Sequence, residues 1–565
     1  MSYQTYEVRH IRDIRDMLRS STDIYAEKNA FLQKTDGEYR GITYATLRHD
    51  VEALGTELWA QGLAGKRIIV TGESCYAWCV SYLAVICGLG VVVPVDRELP
   101  VEEMCNIANI AEVAAVLYAP SLEAKIAGLP ESIRRIPFTD IPALVEAGAA
   151  KVDGGVRNYI DADIDPDVMA ALLFTSGTTG VSKGVMLSHH NICFNLEEMC
   201  QMLYIGPEDV FLSVLPMHHA YECTCGFLCQ LYRGTTVAFC EGLRYITRNM
   251  KEVKPTKMCC VPLLVETLYG KIWAGIRKKG MEKKVRSAIK LSNGLRKVGI
   301  NLTRKLFAEI HETLGGRLNT LISGGASVDP EVLQGLRDFG ILSVQGYGLT
   351  ECAPLAALNS DQFYRDDSAG LATPNTVLDI YNPQEDGTGE IRFKGENIML
   401  GYYNAPELTA EVKRGEWFYT GDLGYLDKDG FLHITGRKKN VIVTSNGKNI
   451  FPEELETYLS RNAFVKESVI VGIPNAQKKD YDIVAILVPD TERFAEVYGE
   501  AVTDEQINVE LAKAVAGVNE IVQSYKRMDT WVRRDEEFPK NTSKKIKRAG
   551  LADAILPQYR EKMGL

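Results

Sequence analysis

Cysteine disappears after Cys352: all thirteen lie at or before that residue of the 565-residue chain. An odd number with none in the last third rules out a disulfide framework spanning the molecule and fits reduced, buried thiols of an intracellular protein. Cys223, Cys225 and Cys229 cluster, but the C-x-C-x3-C spacing lacks the paired ligands of a zinc site. Positive charge is not in excess either. The net charge of -10 argues against a nucleic-acid partner, while leaving local basic sites free to serve small anions. No apolar core follows the charged opening "MSYQTYEVRHIRDIRD", which argues against a secretory leader and for a cytoplasmic chain. No repeat of fixed period stands out. An uninterrupted membrane-length run is missing too. Tyr76–Val95 comes nearest, but Gly88 and Gly90 punctuate it and it ends in "VVVPVD". That pattern predicts a buried helix, a glycine stop and a core strand.

What is present is ordinary globular material, 24% charged and 46% hydrophobic. At about 150 residues per domain the length suggests roughly three or four structural units. From Thr43 to Tyr118, helix-like runs such as "LRHDVEALGTELWAQGL" alternate with short β-branched runs such as "RIIVTG" and "AAVLYAP". The alternation recurs in "TVAFC", "KMCCVP" and "LNTLISGG", and it is the pattern of a parallel sheet covered by helices. From Pro383 to Phe431 the text turns to "NPQEDGTGE", "FKGE" and "DKDG", short strands joined by Asp-Gly turns. After "GRKKN" come a helix opening at Pro452, strands "SVIVGI" and "DIVAILVP" and more helices, an α+β domain. The expected fold class is therefore α/β. A large N-terminal domain, 1–436, has helix-covered, mostly parallel sheets and a small β-rich subdomain. A small mobile α+β domain, 437–565, follows.

Between Arg277 and Lys305 stand eleven Lys or Arg and one acid, Glu282. Val285, Ile289, Leu291, Leu295, Val298, Leu302 and Leu306 recur at roughly helical spacing. One or two surface helices with a solvated basic face account for this. A weak peripheral contact with an acidic lipid surface, at the inner membrane face, is the functional alternative.

Chemistry concentrates in short loops. "FTSGTTGVSKG", Phe174–Gly184, combines small hydroxyl side chains, glycines and one lysine. Such a loop brings successive backbone N–H groups close to an anion. It is not a Walker loop, because Lys183 precedes Gly184 rather than Ser or Thr. "SGGA" at Ser323, "GYGLTECAP" at Gly346, "YTGDLGYLDKDG" at Tyr419, "GRKKNVIVTSNGKNIFPEELE" at Gly436 and "FPKNTSKKIKR" at Phe538 follow in order.

In that order and at those separations, from about Tyr44 to Arg548, the motifs resemble the adenylate-forming (AMP-binding) superfamily, and within it the bacterial long-chain fatty acyl-CoA synthetases. The resemblance implies ATP, Mg2+ and coenzyme A, and a reaction in two halves. A carboxylate attacks the α-phosphate of ATP to give acyl-adenylate and pyrophosphate; a thiol then takes the acyl group and AMP leaves. It implies that Thr175, Ser176, Gly177, Thr178, Thr179, Gly180 and Lys183 hold the β- and γ-phosphates. Glu351 would hold Mg2+, a hard cation that prefers oxygen ligands, and Thr350 would donate to the α-phosphate. Tyr347, with Gly346 and Gly348, would offer a ring face to adenine, with Gly325 and Ala326 lining its other side. Asp422 would accept from the ribose hydroxyls beside Arg437. Lys545 would bridge acyl carboxylate and α-phosphate; where the family often has glycine before this lysine, this chain has Lys544. Lys439 would be the hinge about which the C-terminal domain turns between half-reactions, and Gly447 would let the pantetheine arm pass.

In "LPMHHAYE", His219 matches a family position near the carboxylate, and its "HxxE" setting resembles the long-chain branch. "CTCGFLC" beside it is small and apolar, as an acyl tunnel wall would be. The implied partners are a fatty acid and coenzyme A, with no nucleic acid and no obligate protein partner. Two alternatives stand beside this reading. One is an acyl-AMP ligase that loads a carrier protein's phosphopantetheine. The other is a non-catalytic nucleotide or lipid sensor, which would have no need of Lys183, Glu351, Asp422 and Lys545 together. Nothing in the sequence supports a luciferase-like oxygenation.

Overall fold

A computed structural model describes residues 5–176, 182–445, 448–475, 477–499, 501–540 and 546–564. The chain divides into two compact units: Met1–Leu378 with Phe393–Phe418 and Asp427–Leu432, and Asp379–Arg392 with Tyr419–Leu426 and His433–Leu565.

Two mixed sheets build the first unit. In one, the strands run in the order Leu371–Ala372, Ala357–Leu358, Leu342–Tyr347, Thr320–Ser323, Lys257–Cys260, Val210–Ser213, Thr236–Phe239, Asn29–Thr35, Glu38–Thr43. Its six central strands are parallel, and antiparallel pairs finish both edges. The strands at 236–239, 257–260 and 320–323 are buried at every position, as expected where helices cover both faces of a parallel sheet. The other sheet has the order Gly401–Tyr402, Ser182–Ser188, Met169–Ser176, Gly90–Pro94, Lys66–Thr71, Ala115–Tyr118, Arg134–Pro137. Its last five strands are parallel.

The longest apolar stretch folds as its glycines dictate. Helix Tyr76–Ala84 gives way to a wider turn, Val85–Leu89, in which Gly88 takes φ 128°, a value few other residues reach without strain. Strand Gly90–Pro94 then enters the sheet. Among the described residues no helix is long and apolar enough to cross a membrane. All thirteen cysteines are free, and most are buried. The basic segment forms the end of helix Pro262–Lys278, helix Glu282–Lys297 and the short helix Thr303–Leu306.

The turn-rich stretch supplies strands Val377–Tyr381, Gly389–Lys394, Lys413–Arg414, Trp417–Leu426 and Leu432–Arg437. Its Asp-Gly turns place Gly387 and Gly430 at φ 82° and 86°. In the rest of the second unit, Asp480–Pro489 lies between antiparallel Val465–Asn475 and parallel Thr530–Arg533. Alternation along this central strand feeds two cores. Ile483, Ala485 and Leu487 join helices Pro452–Ser460 and Asp504–Ile521, while Val484, Ile486 and Val488 join Phe538, Leu551, Ile555 and Tyr559. Pro452 stands in the first helical turn, where its missing N–H costs nothing.

Candidate active site

Four neighbouring parallel strands of the first unit, Val210–Ser213, Lys257–Cys260, Thr320–Ser323 and Leu342–Tyr347, end at one sheet edge; Cys260 stands opposite Ser323, and Ser323 opposite Gln345. Carboxyl ends of parallel strands are where α/β sheets hold their ligands, because loops there diverge and leave a crevice. Three of the sequence motifs leave from this edge. "SGGA" follows Ser323: Gly325, at φ 91°, and Ala326 are exposed, and Gly324 packs against the Tyr221 ring so closely that a Cβ would stand 3.0 Å from it. The Tyr221 hydroxyl donates to the Ile322 carbonyl at 2.7 Å, tying the "LPMHHAYE" segment to the same edge. "GYGLTE" follows strand 342–347: Tyr347 is buried, and a side chain at Gly348 would collide with the Pro354 carbonyl. A single turn, Thr350–Cys352, then presents Thr350 and Glu351, both partly exposed.

The second sheet brings a cation to this carboxylate. Thr175 pairs with Lys183 across the hairpin of strands 169–176 and 182–188. Strand Gly401–Tyr402 adds to the hairpin opposite Met186 and Val185. Tyr402 is the link: its hydroxyl donates to Glu351 Oε1 at 2.8 Å, and its ring lies 5.1 Å from Lys183 Nζ. Met399 N–H donates to the Glu351 carbonyl at 2.9 Å, so the same segment also fixes the backbone of the acidic turn. Burial, together with the Glu351 charge, raises the Tyr402 phenol well above its ordinary pKa, keeping it a donor. From behind, buried Asn195 on helix His189–Met202 donates to the carbonyls of Cys352 and Leu355 at 3.1 and 2.8 Å. Asn191 on the same face donates to Glu396 and Ile398, so one helix fastens both segments. The motifs do not point to Tyr402, Asn191 or Asn195; "GYYN" and "NICFN" carry no charge to mark them.

His219 sits in the turn after Pro216, whose carbonyl accepts its N–H, and its ring lies 4.1 Å from that of His218. His218 Nε2 is 3.5 Å from Asp96 Oδ2 in a buried setting. Burial, His219 and Arg97 outweigh that carboxylate and hold the His218 pKa well below its ordinary value, so His218 is neutral. Glu222 is fully buried, and burial pushes its carboxyl up to about 8 against a hydrogen bond of 2.6 Å from Ser213 Oγ. At neutral pH it is largely protonated. "CTCGFLC" does not face open space in this structure: residues 222–228 are all buried, and the Phe227 ring packs against Trp78, Tyr82 and Phe31. A tunnel wall and a closed core need the same apolar composition, and here the segment is core.

The second unit holds Asp422, Arg437 and Lys439. Asp422 Oδ1 accepts from Arg437 Nε at 2.9 Å, with the carboxylate buried and the guanidinium partly exposed. Asp422 N–H donates to Thr420 Oγ1 at 3.0 Å, and Lys438 N–H donates to the Gly421 carbonyl, which locks strands 417–426 and 432–437 around the acid. Burial, then the Arg437 charge, lower the Lys439 pKa. Asn440 Nδ2 donates to Glu453 Oε1 at 2.6 Å just beyond it. Arg548 pairs with Glu456 and anchors the chain that follows the "KKIKR" lysines, and Lys540 and Ile546 form an antiparallel bridge. Gly177, Thr178, Thr179, Gly180, Gly447 and Lys545 lie outside the described residues, as does the side chain of Ser176.

Lys183 forms no ion pair among the described residues, and the Glu351 carboxylate has no cationic partner there. A lone cation and a lone carboxylate separated by one tyrosine, at the ligand edge of a parallel sheet, fit a polyphosphate and a hard metal ion. The donor chemistry suits both: hydroxyl and ammonium for phosphate oxygens, carboxylate for Mg2+.

Comparison with solved structures gives the class. The chain has the fold of adenylate-forming enzymes. It matches o-succinylbenzoate coenzyme A synthetase of Bacillus subtilis in complex with AMP at a TM-score of 0.73, with 20% identity over 95% of this chain and 97% of that one. It matches a fatty acyl CoA synthetase of Mycobacterium tuberculosis at 0.67, with 22% identity over 98% and 99%. The family model for AMP-binding enzymes covers residues 18–403, and that for the AMP-binding enzyme C-terminal domain covers 439–560. The chain belongs to the AMP-binding enzyme family. Among curated relatives, a long-chain-fatty-acid–CoA ligase of Mycobacterium bovis is 26% identical over 86% of this chain and 85% of its own length. Long-chain-fatty-acid–CoA ligase 1 of Homo sapiens is 27% identical over 81% and 71%. A chloroplastic long-chain-fatty-acid–[acyl-carrier-protein] ligase of Arabidopsis thaliana is 26% identical over 86% and 77%.

Proposed function

We propose that this protein is an ATP-dependent acid–thiol ligase of the long-chain type. It activates a fatty acid as acyl-AMP with release of pyrophosphate, then transfers the acyl group to coenzyme A with release of AMP. The observation that carries the proposal is the Lys183–Tyr402–Glu351 arrangement at the carboxyl edge of the parallel strands, in a chain whose curated relatives include several long-chain fatty acid–CoA ligases.

In the first step a carboxylate oxygen of the acid attacks the α-phosphorus and the bond to the β-phosphate oxygen breaks. Negative charge gathers on the leaving pyrophosphate, where the ammonium of Lys183 and the hydroxyls of Thr175 and Ser176, with the loop that follows, would neutralise it. Glu351, steadied by Tyr402, would hold Mg2+, which when bound spreads the phosphate charge. Thr350 would donate to an α-phosphate oxygen, and Tyr347 with the Gly325–Ala326 backbone would line the base. His219 would stand near the acyl carboxylate. In the second unit, Asp422, oriented by Arg437, would accept from ribose hydroxyls, and Lys545 would supply positive charge to the adenylation transition state. In the second step the thiol sulfur attacks the acyl carbonyl and AMP leaves as the carbonyl re-forms. We assign this step to the arrangement reached by turning at Lys439, with Gly447 passing the pantetheine, and place the functional boundary at 436–437.

The match to an acyl-carrier-protein ligase supports a second reading, in which the same acyl-AMP is passed to a carrier's phosphopantetheine. A panel of acids of graded chain length with ATP, and with either coenzyme A or a holo carrier protein, separates the two. The proposal expects AMP, pyrophosphate and acyl-CoA, with long-chain acids preferred. Thioester on the carrier alone would establish the second reading, and ADP as product would overturn both.

A further inference from the structure

The loop that carries His219 is fastened to the second sheet as well as to the first. Asp96 stands just past strand Gly90–Pro94, at the carboxyl edge of that sheet's parallel strands. Its Oδ1 accepts from the Glu98 N–H at 2.9 Å, which fixes the carboxylate with Oδ2 3.5 Å from His218 Nε2. Only 9% of the His218 side chain and 8% of that of Asp96 are exposed. Arg97, next in sequence, is spent on other acids, Glu73 at 2.9 Å and Glu98 at 3.1 Å. Among the described residues the imidazole of His218 is therefore the one basic group paired with Asp96. At 3.5 Å the contact is long for a hydrogen bond, yet His218 Nε2 finds no other partner among the described residues. Burial keeps His218 neutral, so one ring nitrogen carries the proton and the other a lone pair. A carboxylate facing Nε2 favours the tautomer with the proton there. Ser74 Oγ, donating to the Leu215 carbonyl at 3.4 Å, ties the same loop to the end of the neighbouring strand Lys66–Thr71.

The His218 ring also lies against that of His219, with centroids 4.1 Å apart and planes tilted by 49°. The His219 N–H donates to the Pro216 carbonyl at 3.2 Å, and its carbonyl accepts from the Cys223 N–H at 2.9 Å. These bonds settle where the His219 side chain begins; the ring beside it limits how that side chain turns about its own torsions.

We propose that Asp96 and His218 are positioning residues: the carboxylate orients the His218 ring, and that ring holds His219 at the angle at which it meets the acyl carboxylate during adenylation. The inference rests on the role proposed above for His219. Neither Asp96 nor His218 would touch the reacting atoms. A buried carboxylate facing the incoming acid would repel it; acting through a neutral ring, Asp96 shapes the site without presenting its charge to the substrate. A pair that served packing alone would make other demands. Its volume would matter, while its charge and the position of the ring proton would not.

Acid-dependent exchange of labelled pyrophosphate into ATP by the full chain, together with NMR of the protein carrying isotope-labelled histidine, tests it. Asp96→Asn is nearly isosteric and still accepts from Glu98. It should cut the exchange rate at saturating acid about 10- to 100-fold, the scale of a small misplacement in a reacting pair, and leave the KM for ATP and the melting temperature near their wild-type values. His218→Ala should lower the rate by a similar factor. In a His219→Ala background neither change should cost anything further, because the residue they act through is gone. The wild-type spectrum should show a neutral His218 with its proton on Nε2, and the Asp96→Asn spectrum a mixture of both tautomers; this readout needs no turnover. Full activity in both variants beside a crippled His219→Ala, losses that add in full, or a His218 tautomer indifferent to Asp96→Asn would each overturn the inference. A His219→Ala enzyme as fast as wild type would instead overturn the role given to His219 above, and this inference with it.

Discussion

The hydroxyl of Tyr402 donates to Glu351 Oε1 at 2.8 Å while its ring lies 5.1 Å from Lys183 Nζ, so one side chain touches both charges that the two sheets bring together. The contact with Lys183 follows from a short strand, Gly401–Tyr402, pairing with Met186 and Val185; the bond to Glu351 follows from the Thr350–Cys352 turn, held by Met399. Tyr402→Phe keeps the ring and removes the bond to the carboxylate. It should raise the Mg2+ concentration needed for half-maximal activity and lower activity about 10- to 100-fold, the usual cost of losing a partner that orients a ligand. ATP and Mg2+ titrations of the purified variant check this. An unchanged Mg2+ requirement would show that Glu351 needs no such support.

Asn195 holds the same turn from the core side. Asn195→Ala would leave the Cys352 carbonyl without its side-chain donor in a buried place, and the Leu355 carbonyl with Asn397 alone. The expected loss is about 1–3 kcal/mol of stability, read from denaturant unfolding, with a fall in kcat larger than any change in the KM for the acid. A variant as stable and as active as wild type would contradict the role.

Much of the architecture is legible in the sequence because local chemistry agrees with the final fold. "VVVPV" after two glycines becomes a buried strand, Pro452 opens its helix, and the Asp-Gly pairs make turns with positive φ at Gly387 and Gly430. The Gly-rich and acidic motifs are visible as text, and the structure adds that "SGGA", "GYGLTE" and "LPMHHAYE" leave one sheet edge. Tyr402 is invisible there because its importance comes from strand pairing across more than two hundred residues, not from its neighbours in sequence. "CTCGFLC" suits a tunnel wall by composition, and composition does not distinguish a wall from the packed core that holds Phe227 against Trp78. Glu222 is visible as a letter in "HxxE", but its complete burial depends on the turn at 222–228.

That burial has a pH consequence. The Glu222 pKa rises from 4.5 to about 8 in the folded protein, so below about 4.5 both states are protonated and nothing is lost. Between about 4.5 and 8 the unfolded chain releases the proton and the folded one retains it, so stability falls as pH rises. Glu222→Gln keeps the shape and still accepts from Ser213. It should remove this part of the pH dependence and stabilise the protein at pH 8 by a few kcal/mol, since each tenfold difference in proton affinity between the two states is worth about 1.4 kcal/mol. Melting temperatures of the two proteins from pH 5 to about 8.5 should diverge; parallel curves would refute the assignment.

The two half-reactions should separate by mutation. Lys545→Ala should suppress acyl-adenylate formation by about 10²- to 10³-fold, the range for losing one charge contact in a transition state, yet leave transfer from supplied acyl-AMP to coenzyme A near normal. Lys544→Ala is the control and should be close to wild type. Lys439→Pro fixes φ at the proposed pivot and should do the reverse, retaining adenylation and losing transfer. Single-turnover assays of each half distinguish these outcomes, and equal damage to both halves in either variant would count against the assignment.

Acid-dependent exchange of labelled pyrophosphate into ATP, measured without any thiol, addresses the central claim most directly. If the protein forms acyl-AMP reversibly, label enters ATP only when a long-chain acid is present, and Lys183→Ala abolishes the exchange. Absence of exchange with every acid tested, or exchange at the same rate without acid, would contradict adenylate formation as the reaction of this site.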